Sequence, residues 1–365
     1  MIPITKPWFP KSMRENITHD ISEIISTGDL MLGKYTKLFE NSYKHIAKSK
    51  EAISIASATS GLQIALRYAE VSGYEVLVPA ASFITDVTAI QMEGANPILV
   101  DIDPATLTFD YKDLKNKISK KSRAIIWIHL TGYIGSEYKK IQAFAKDNGL
   151  FLIEDASHAH GAQIDGKAAG SLGDVGVFSF YPTKIMTTGS GGMLTTDNKE
   201  FAEFARSMRL FGKNFTTGET SLIGNDWFLD EFRCCIGYHQ SLYLSDNLQR
   251  RRIIVHKYIK ALETIKNVST LELTLNNLPA WYQFPFFCDK TIDPNLIRKS
   301  LNENGISCKK IYVPIQEEKI FKSLLCQGKF NANQILESSV CLPLYVQLKE
   351  KDIEKIIKVL FQILI

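Results

Sequence analysis

The chain has 365 residues, 45% of them hydrophobic and 22% charged, with a formal net charge of +4. At this length the composition suits a globular protein with a large core, divided into a main and a smaller domain. So mild a charge argues against a nucleic-acid surface, and no window nears the roughly 18 unbroken apolar residues that a membrane helix needs.

The N-terminal stretch "MIPITKPWFPKSMREN" lacks a basic region followed by an apolar run, so it does not read as a secretory leader. Six cysteines (Cys234, Cys235, Cys288, Cys308, Cys326, Cys341) fall late and unevenly, without a C-x-x-C pair. Buried thiols and a cytoplasmic location are expected, with neither membrane nor nucleic acid as partner.

"SIASATSGLQIALRYAE" sets Ser57, Thr59 and Ser60 just ahead of a helical stripe of Leu62, Ala65, Leu66 and Ala69. Small hydroxyl residues are ordinary helix caps. The same helix start, with free N–H groups and the positive end of the dipole, is also an anion site.

Short Val- and Ile-rich runs then alternate with stretches of helical period. The runs are "YEVLVPA", "NPILVDID", "RAIIWIHL", "GLFLIED" and "DVGVFSFY"; the helical stretches include "DVTAIQMEG" and "SEYKKIQAFAKDNG". The alternation predicts an α/β domain with a mostly parallel sheet, whose ligands gather at the carboxyl ends of the strands.

Asp155, in "EDASHAHGA", falls at such an end. Alone it reads equally as a helix cap, an ion-paired carboxylate, or the partner of the ring nitrogen in a pyridoxal phosphate (PLP) enzyme. His158 and His160 have H-x-H spacing, but no carboxylate, Cys or third His stands at ligand spacing nearby, so a metal is not expected.

"FSFYPTKIMTTGSGG" centres on Lys184. A phosphate loop needs its glycines ahead of the lysine, and here they follow it; nor is "GSGGML" a dinucleotide fingerprint. Past residue 240 a long helical pattern, "LSDNLQRRRIIVHKYIKALETI", leads to strand-like "AWYQFPFFC" and "ISCKKIYVP" and a last helix, "KDIEKIIKVLFQILI". These predict a large domain over 1–240 and a small C-terminal α+β domain over 241–365, with the basic run "QRRRIIVHK" as a solvated helix face.

With these segments assembled, the chain resembles the DegT/DnrJ/EryC1/StrS family of PLP-dependent sugar aminotransferases, which have the fold type I architecture. The likeness runs from "ISTGDLMLGKYTKLFE" through "SATSGLQIAL", "VPAASFITDVTAI", "GANPILVDIDPATLTFD" and "IHLTG" to "EDASHAHGAQIDGKAAGSLGDVGVFSFYPTK" and "TTGSGGMLTT". It implies that Lys184 holds PLP as an imine and shuttles the proton, while Asp155 holds the pyridinium nitrogen. His158, where many relatives have Gln, would lie near the phenolic oxygen, and Phe83 would stack on the ring. Ser179, Ser57, Ala58 and Thr59 would bind the phosphate.

Three departures stand out. In "IGNDWFLDEFRCC" the family's usual Asn, which reaches the phosphate of the neighbouring subunit, aligns with Asp226, and the usual Arg aligns with Phe228. A carboxylate would repel that phosphate, so Asn225 is the alternative after a one-residue shift. Ser190 stands where many relatives have Glu and Gln316 where many have His; with Tyr312 these are the candidate substrate contacts.

The implied reaction is a two-stage transamination: an amino acid, glutamate by resemblance, leaves its amine on the cofactor as pyridoxamine phosphate, and a keto sugar collects it. A nucleotide-linked keto-deoxyhexose is the expected acceptor, with a ketocyclitol as alternative, and a homodimer completes the sites. Relatives that dehydrate sugars have His in place of Lys184. A non-catalytic PLP or sugar binder and a PLP-free Schiff-base lyase are the readings from other classes.

Overall fold

A computed structural model of the chain describes every residue except 215, 322–327, 329 and 365. Cys326 falls outside the described residues; the other five cysteines are unpaired thiols, buried except for half-buried Cys308.

The N-terminal two thirds hold β1 (Glu51–Ile55), β2 (Glu75–Pro79), β3 (Asn96–Val100), β4 (Ser122–Ile128), β5 (Phe151–Asp155), β6 (Gln163–Ile164), β7 (Lys167–Ala168), β8 (Val175–Ser179) and β9 (Gly192–Thr196). Seven of them form one sheet in the order β1-β9-β8-β5-β4-β2-β3. Neighbours from β8 to β3 run parallel, while β9 is antiparallel to both β8 and β1. The five expected strands are all present. β1 was not among them; it is only five residues long and runs straight into the small residues of the next helix start.

The parallel strands are continuous apolar runs because both sheet faces are covered. Alternate residues feed two cores: Val76, Val78, Ile126 and Ile153 pack on one face, and Leu77, Ile125, Trp127 and Leu152 on the other. The covering helices are α1 (Lys11–Thr27), α2 (Lys34–Ala47), α3 (Ala58–Tyr68), α4 (Ile84–Met92), α5 (Tyr111–Lys117), α6 (Tyr138–Asp147), α7 (Lys199–Met208) and α8 (Glu231–Leu242).

The C-terminal part comprises α9 (Leu244–Leu262), β10 (Val268–Thr270), β11 (Asn277–Leu278), β12 (Phe284–Cys288), α10 (Pro294–Glu303), α11 (Asn331–Ser338), β13 (Ser339–Leu342) and α12 (Glu350–Leu364). β10, β12 and β13 make an antiparallel sheet. Two segments cross the boundary expected at 240/241: β11 pairs with β6, and Ile2 pairs with Ile306.

Two expectations are corrected here. "ISCKKIYVP" is not a regular strand; it pairs only at Ile306 and Lys309, then arches into a short 3-10 turn over Ile315–Glu317. The basic run is not a solvated face either. Arg251 is buried, its guanidinium donating to the carbonyls of Trp281 and Leu344 and to Asn247 Oδ1, while Arg250 and Arg252 reach the carbonyls of Leu348 and Pro279. Backbone carbonyls left by irregular loops need donors, and a guanidinium supplies several in one plane.

Candidate active site

A cavity of about 530 Å³ opens at the carboxyl ends of β5 and β8, against the N-terminus of α3. Its size is that of an ordinary small-molecule site.

The α3 wall is built by local capping. Ser57 Oγ accepts the Ser60 N–H at 3.1 Å, and the Ser57 N–H donates back to Ser60 Oγ at 3.1 Å. Ser57 lines the cavity, but its hydroxyl is already engaged; the N–H groups of Ala58 and Thr59 remain as the first donors of the helix. The helix start lies hard against β9. A Cβ on Gly192 would stand 2.6 Å from the Ser57 carbonyl carbon and 2.8 Å from Ala58 N, so only glycine fits. Gly189, just before it, turns the chain with φ +81°.

Asp155 ends β5, which the neighbouring Glu154 anchors. Glu154 is fully buried, accepts N–H groups from Gly170, Leu172 and Gly173, and meets His129 Nε2 at 2.6 Å. With the strand end pinned, Asp155 faces the cavity, one of its oxygens accepting the Ser157 N–H at 2.9 Å.

Lys184 lies across the cavity, with Nζ 4.7 Å from the centre of the Tyr282 ring. Burial pushes its amine down to about 8, against the pull of Asp155 in the opposite direction. Lys309, also on the wall and exposed, adds to the depression.

His158 bonds the Tyr312 hydroxyl through Nε2 at 2.7 Å and stacks on Tyr282 at 4.1 Å; its Nδ1 is buried with no partner among the described residues. Burial and the nearby lysines hold its pKa well below the usual histidine value, so the ring is neutral. His160 turns elsewhere: its Nε2–H donates to the Ser179 carbonyl at 2.9 Å, and its Nδ1 takes the Tyr43 hydroxyl at 2.6 Å. The H-x-H pair therefore does not converge on a metal. One group of metal-ligating side chains occurs among the described residues, Asp20, Cys235 and His239, and none of them lines the cavity. Its Asp20 is already bonded by His239 and His19.

Phe83, Ser179, Ser190 and Tyr312 also line the cavity; the Phe83 ring is 48% exposed and tilts against Tyr312 at 5.5 Å. Three expected residues do not. Gln316 sits in the 3-10 turn outside the lining, and Asn225 and Asp226 are exposed on a loop where Asn225 Oδ1 accepts the Asp226 N–H at 2.8 Å. Reading the chain alone missed Ser157, Tyr181, Thr183 and Tyr282. Tyr181 and Thr183 flank the lysine and could have been inferred from that; Tyr282 carried no local signal, because it arrives from the far side of α9.

A recessed lysine facing a carboxylate and a helix N-terminus suits amine chemistry, on a sheet that is parallel but for one reversed strand. The comparisons agree. The profile of the DegT/DnrJ/EryC1/StrS aminotransferase family matches residues 11–361, and the chain belongs to that family; it is an aminotransferase.

The chain is 30% identical to the UDP-N-acetyl-3-dehydro-alpha-D-glucosamine 3-aminotransferase of Acidithiobacillus ferrooxidans over 95% of its own length and 94% of the relative's. It is 28% identical to the GDP-perosamine synthase of Caulobacter vibrioides, over 92% and 91%. The crystal structure of the aminotransferase TlmJ from Streptoalloteichus hindustanus superposes with a TM-score of 0.91 at 28% identity, over 99% of this chain and 98% of that one. The family is one of PLP- and pyridoxamine-phosphate-dependent aminotransferases. Among the described residues no helix is long and apolar enough to cross a membrane.

Proposed function

We propose that this chain is a PLP-dependent aminotransferase that moves an amino group from L-glutamate to a nucleotide-linked keto-deoxyhexose, for cell-surface polysaccharide or amino-sugar synthesis. The observation that carries the reading is Lys184 in a cavity that also holds Asp155 and the open end of α3.

The residues present fit the cofactor. Ala58 and Thr59 N–H groups with Ser179 would take the phosphate, Asp155 the ring nitrogen, Phe83 one ring face, and the orphaned His158 Nδ1 the phenolic oxygen. When bound, PLP supplies an aldehyde that a neutral amine captures and a protonated ring that draws off electrons. Lys184 is first the capturing amine. When not bonded to the cofactor, Lys184 Nζ would be the base that takes the proton from the substrate carbon and returns it. Lys309 offers a cation to an anionic group on either substrate, and Tyr312, with Ser190 at the rim, offers hydroxyls to the sugar.

A homodimer fits the same reading. Exposed Leu30 and Met31 lie on a segment bridged through Met31 to Asp230, and exposed Phe211 and Ile223 flank a bridge between Leu210 and Asp226. Phe211 lies beside Asn225, its N–H donating to the Asn225 carbonyl at 3.0 Å, and Asp226 or Asn225 would be the residue that reaches a partner's phosphate. The two UDP- and GDP-sugar relatives support a nucleotide-linked acceptor.

The test is amine transfer from glutamate to a panel of nucleotide-linked keto sugars, followed by mass, with loss of the visible PLP absorbance on adding glutamate alone. Full activity in Lys184→Ala would overturn the assignment.

A further inference from the structure

Asp86, on the first turn of α4, lies behind the cavity wall: it is fully buried and does not line the cavity. One of its oxygens, Oδ2, accepts the Phe83 N–H at 3.0 Å; the other, Oδ1, is buried with no donor among the described residues. The side chain in hydrogen-bonding contact with it is the carboxyl of Asp155. Two ionised carboxylates are both acceptors only, so a hydrogen bond between them requires that one carry a proton.

We propose that Asp86 is held protonated and donates to Asp155, so that the pair carries a single negative charge and turns one fixed carboxylate oxygen toward the cavity. Burial and then the charge of Asp155 both hold the Asp86 carboxyl well above its ordinary value of 3.8. The groups facing it are Asp155 at the end of β5, Lys184 from beyond β8, Tyr312 from the C-terminal segment, and the Phe83 N–H on its own helix. Lys184 is the one cation among them, and burial pushes its amine down to about 8.

The inference rests on the reading of Asp155 as partner of a cationic ring nitrogen. A pair of charge −1 matches one such cation, whereas two ionised carboxylates would leave a buried charge unmatched. Asp86 is thus a positioning residue. It is the proton donor that orients Asp155 and keeps the site electrically balanced.

The test is urea unfolding of the cofactor-free protein between pH 5 and 8, for wild type and Asp86→Asn. A carboxyl whose folded pKa is raised gives stability below its unfolded value that is lost as pH rises toward the folded one. Wild type should therefore weaken with pH relative to Asp86→Asn, the ratio of unfolding constants changing by up to about tenfold per pH unit. Parallel pH profiles would overturn the proposal.

Asp155→Asn reads the same coupling from the other side. Burial still raises the Asp86 carboxyl but the charge of Asp155 is gone, so the pH-dependent loss of stability should end at a lower pH than in wild type. A loss that ends at the same pH would equally refute it. With PLP added, Asp86→Asn, whose amide can still donate, should bind the cofactor as wild type does, whereas Asp86→Ala should bind about tenfold more weakly. Equal weakening in both would show a merely structural role. The unfolding measurements contain no cofactor. A chain that never bound PLP would therefore sink the proposed function and leave the shared proton standing, and matched slopes would do the reverse.

Discussion

The proposed role of Lys184 depends on a nucleophilic amine, and such an amine has a sharp pH signature. At pH 7.5 an ordinary lysine amine, at 10.5, is neutral in about one molecule in 1,000, and one at about 8 in about one in four. The assay is acylation of the cofactor-free protein by a limiting amine reagent, resolved at Lys184 by mass spectrometry from pH 6 upward. The labelling rate at Lys184 should rise through a midpoint near 8 and lose that midpoint on denaturation. The charge of Asp155 pulls the amine upward, so Asp155→Asn should move the midpoint below 8 while turnover falls about 10²- to 10³-fold, the scale for one preorganised charge. The sign carries over to stability: folding favours the neutral amine, so between about 8 and 10.5 this group adds stability as pH rises. A midpoint near 10.5, or an upward move in Asp155→Asn, would refute the argument.

Other substitutions test the frame around the lysine. Glu231 is buried and accepts the N–H groups of Gly33, Tyr35 and Thr36 at the start of α2. Glu231→Ala should cost about 3 kcal/mol or more by urea unfolding, because three donors lose their acceptor, while Glu231→Gln keeps one oxygen and should cost less. Gly192→Ala should push the α3 start away from β9 and weaken PLP binding in a titration more than it lowers the melting temperature. Lys309→Ala should raise KM for the anionic substrate with a smaller change in kcat, and move the Lys184 labelling midpoint upward, since a neighbouring cation is removed. Arg251→Met should lower the melting temperature by leaving the Trp281 and Leu344 carbonyls without their donor.

Much of this protein is written locally. Strands buried on both faces must be unbroken apolar runs, so the five parallel strands show in the sequence, and residues at their carboxyl ends become site candidates by position alone. Lys184 and Asp155 are legible for that reason, as is the capped start of α3. Their chemistry follows from residue type, and the spacing of glycines after the lysine is enough to reject a phosphate loop.

Other features depend on which elements meet, and periodicity says only which way a side chain points within its own element. Asp86 reads as a first-turn carboxylate of α4 until the sheet order sets β2 one strand from β5 and brings it behind Asp155. "QRRRIIVHK" looks like a solvated face until loops from two directions bring Arg251 their carbonyls. Tyr282 enters the cavity only because the chain returns past α9 to lay it under Lys184, and Lys309 because a bridge to Cys341 holds the irregular "ISCKKIYVP" segment against the site. Sequence determined the reactive groups and the strand ends that carry them; tertiary structure decided their neighbours, and burial and neighbouring charge decide which of those groups holds its proton.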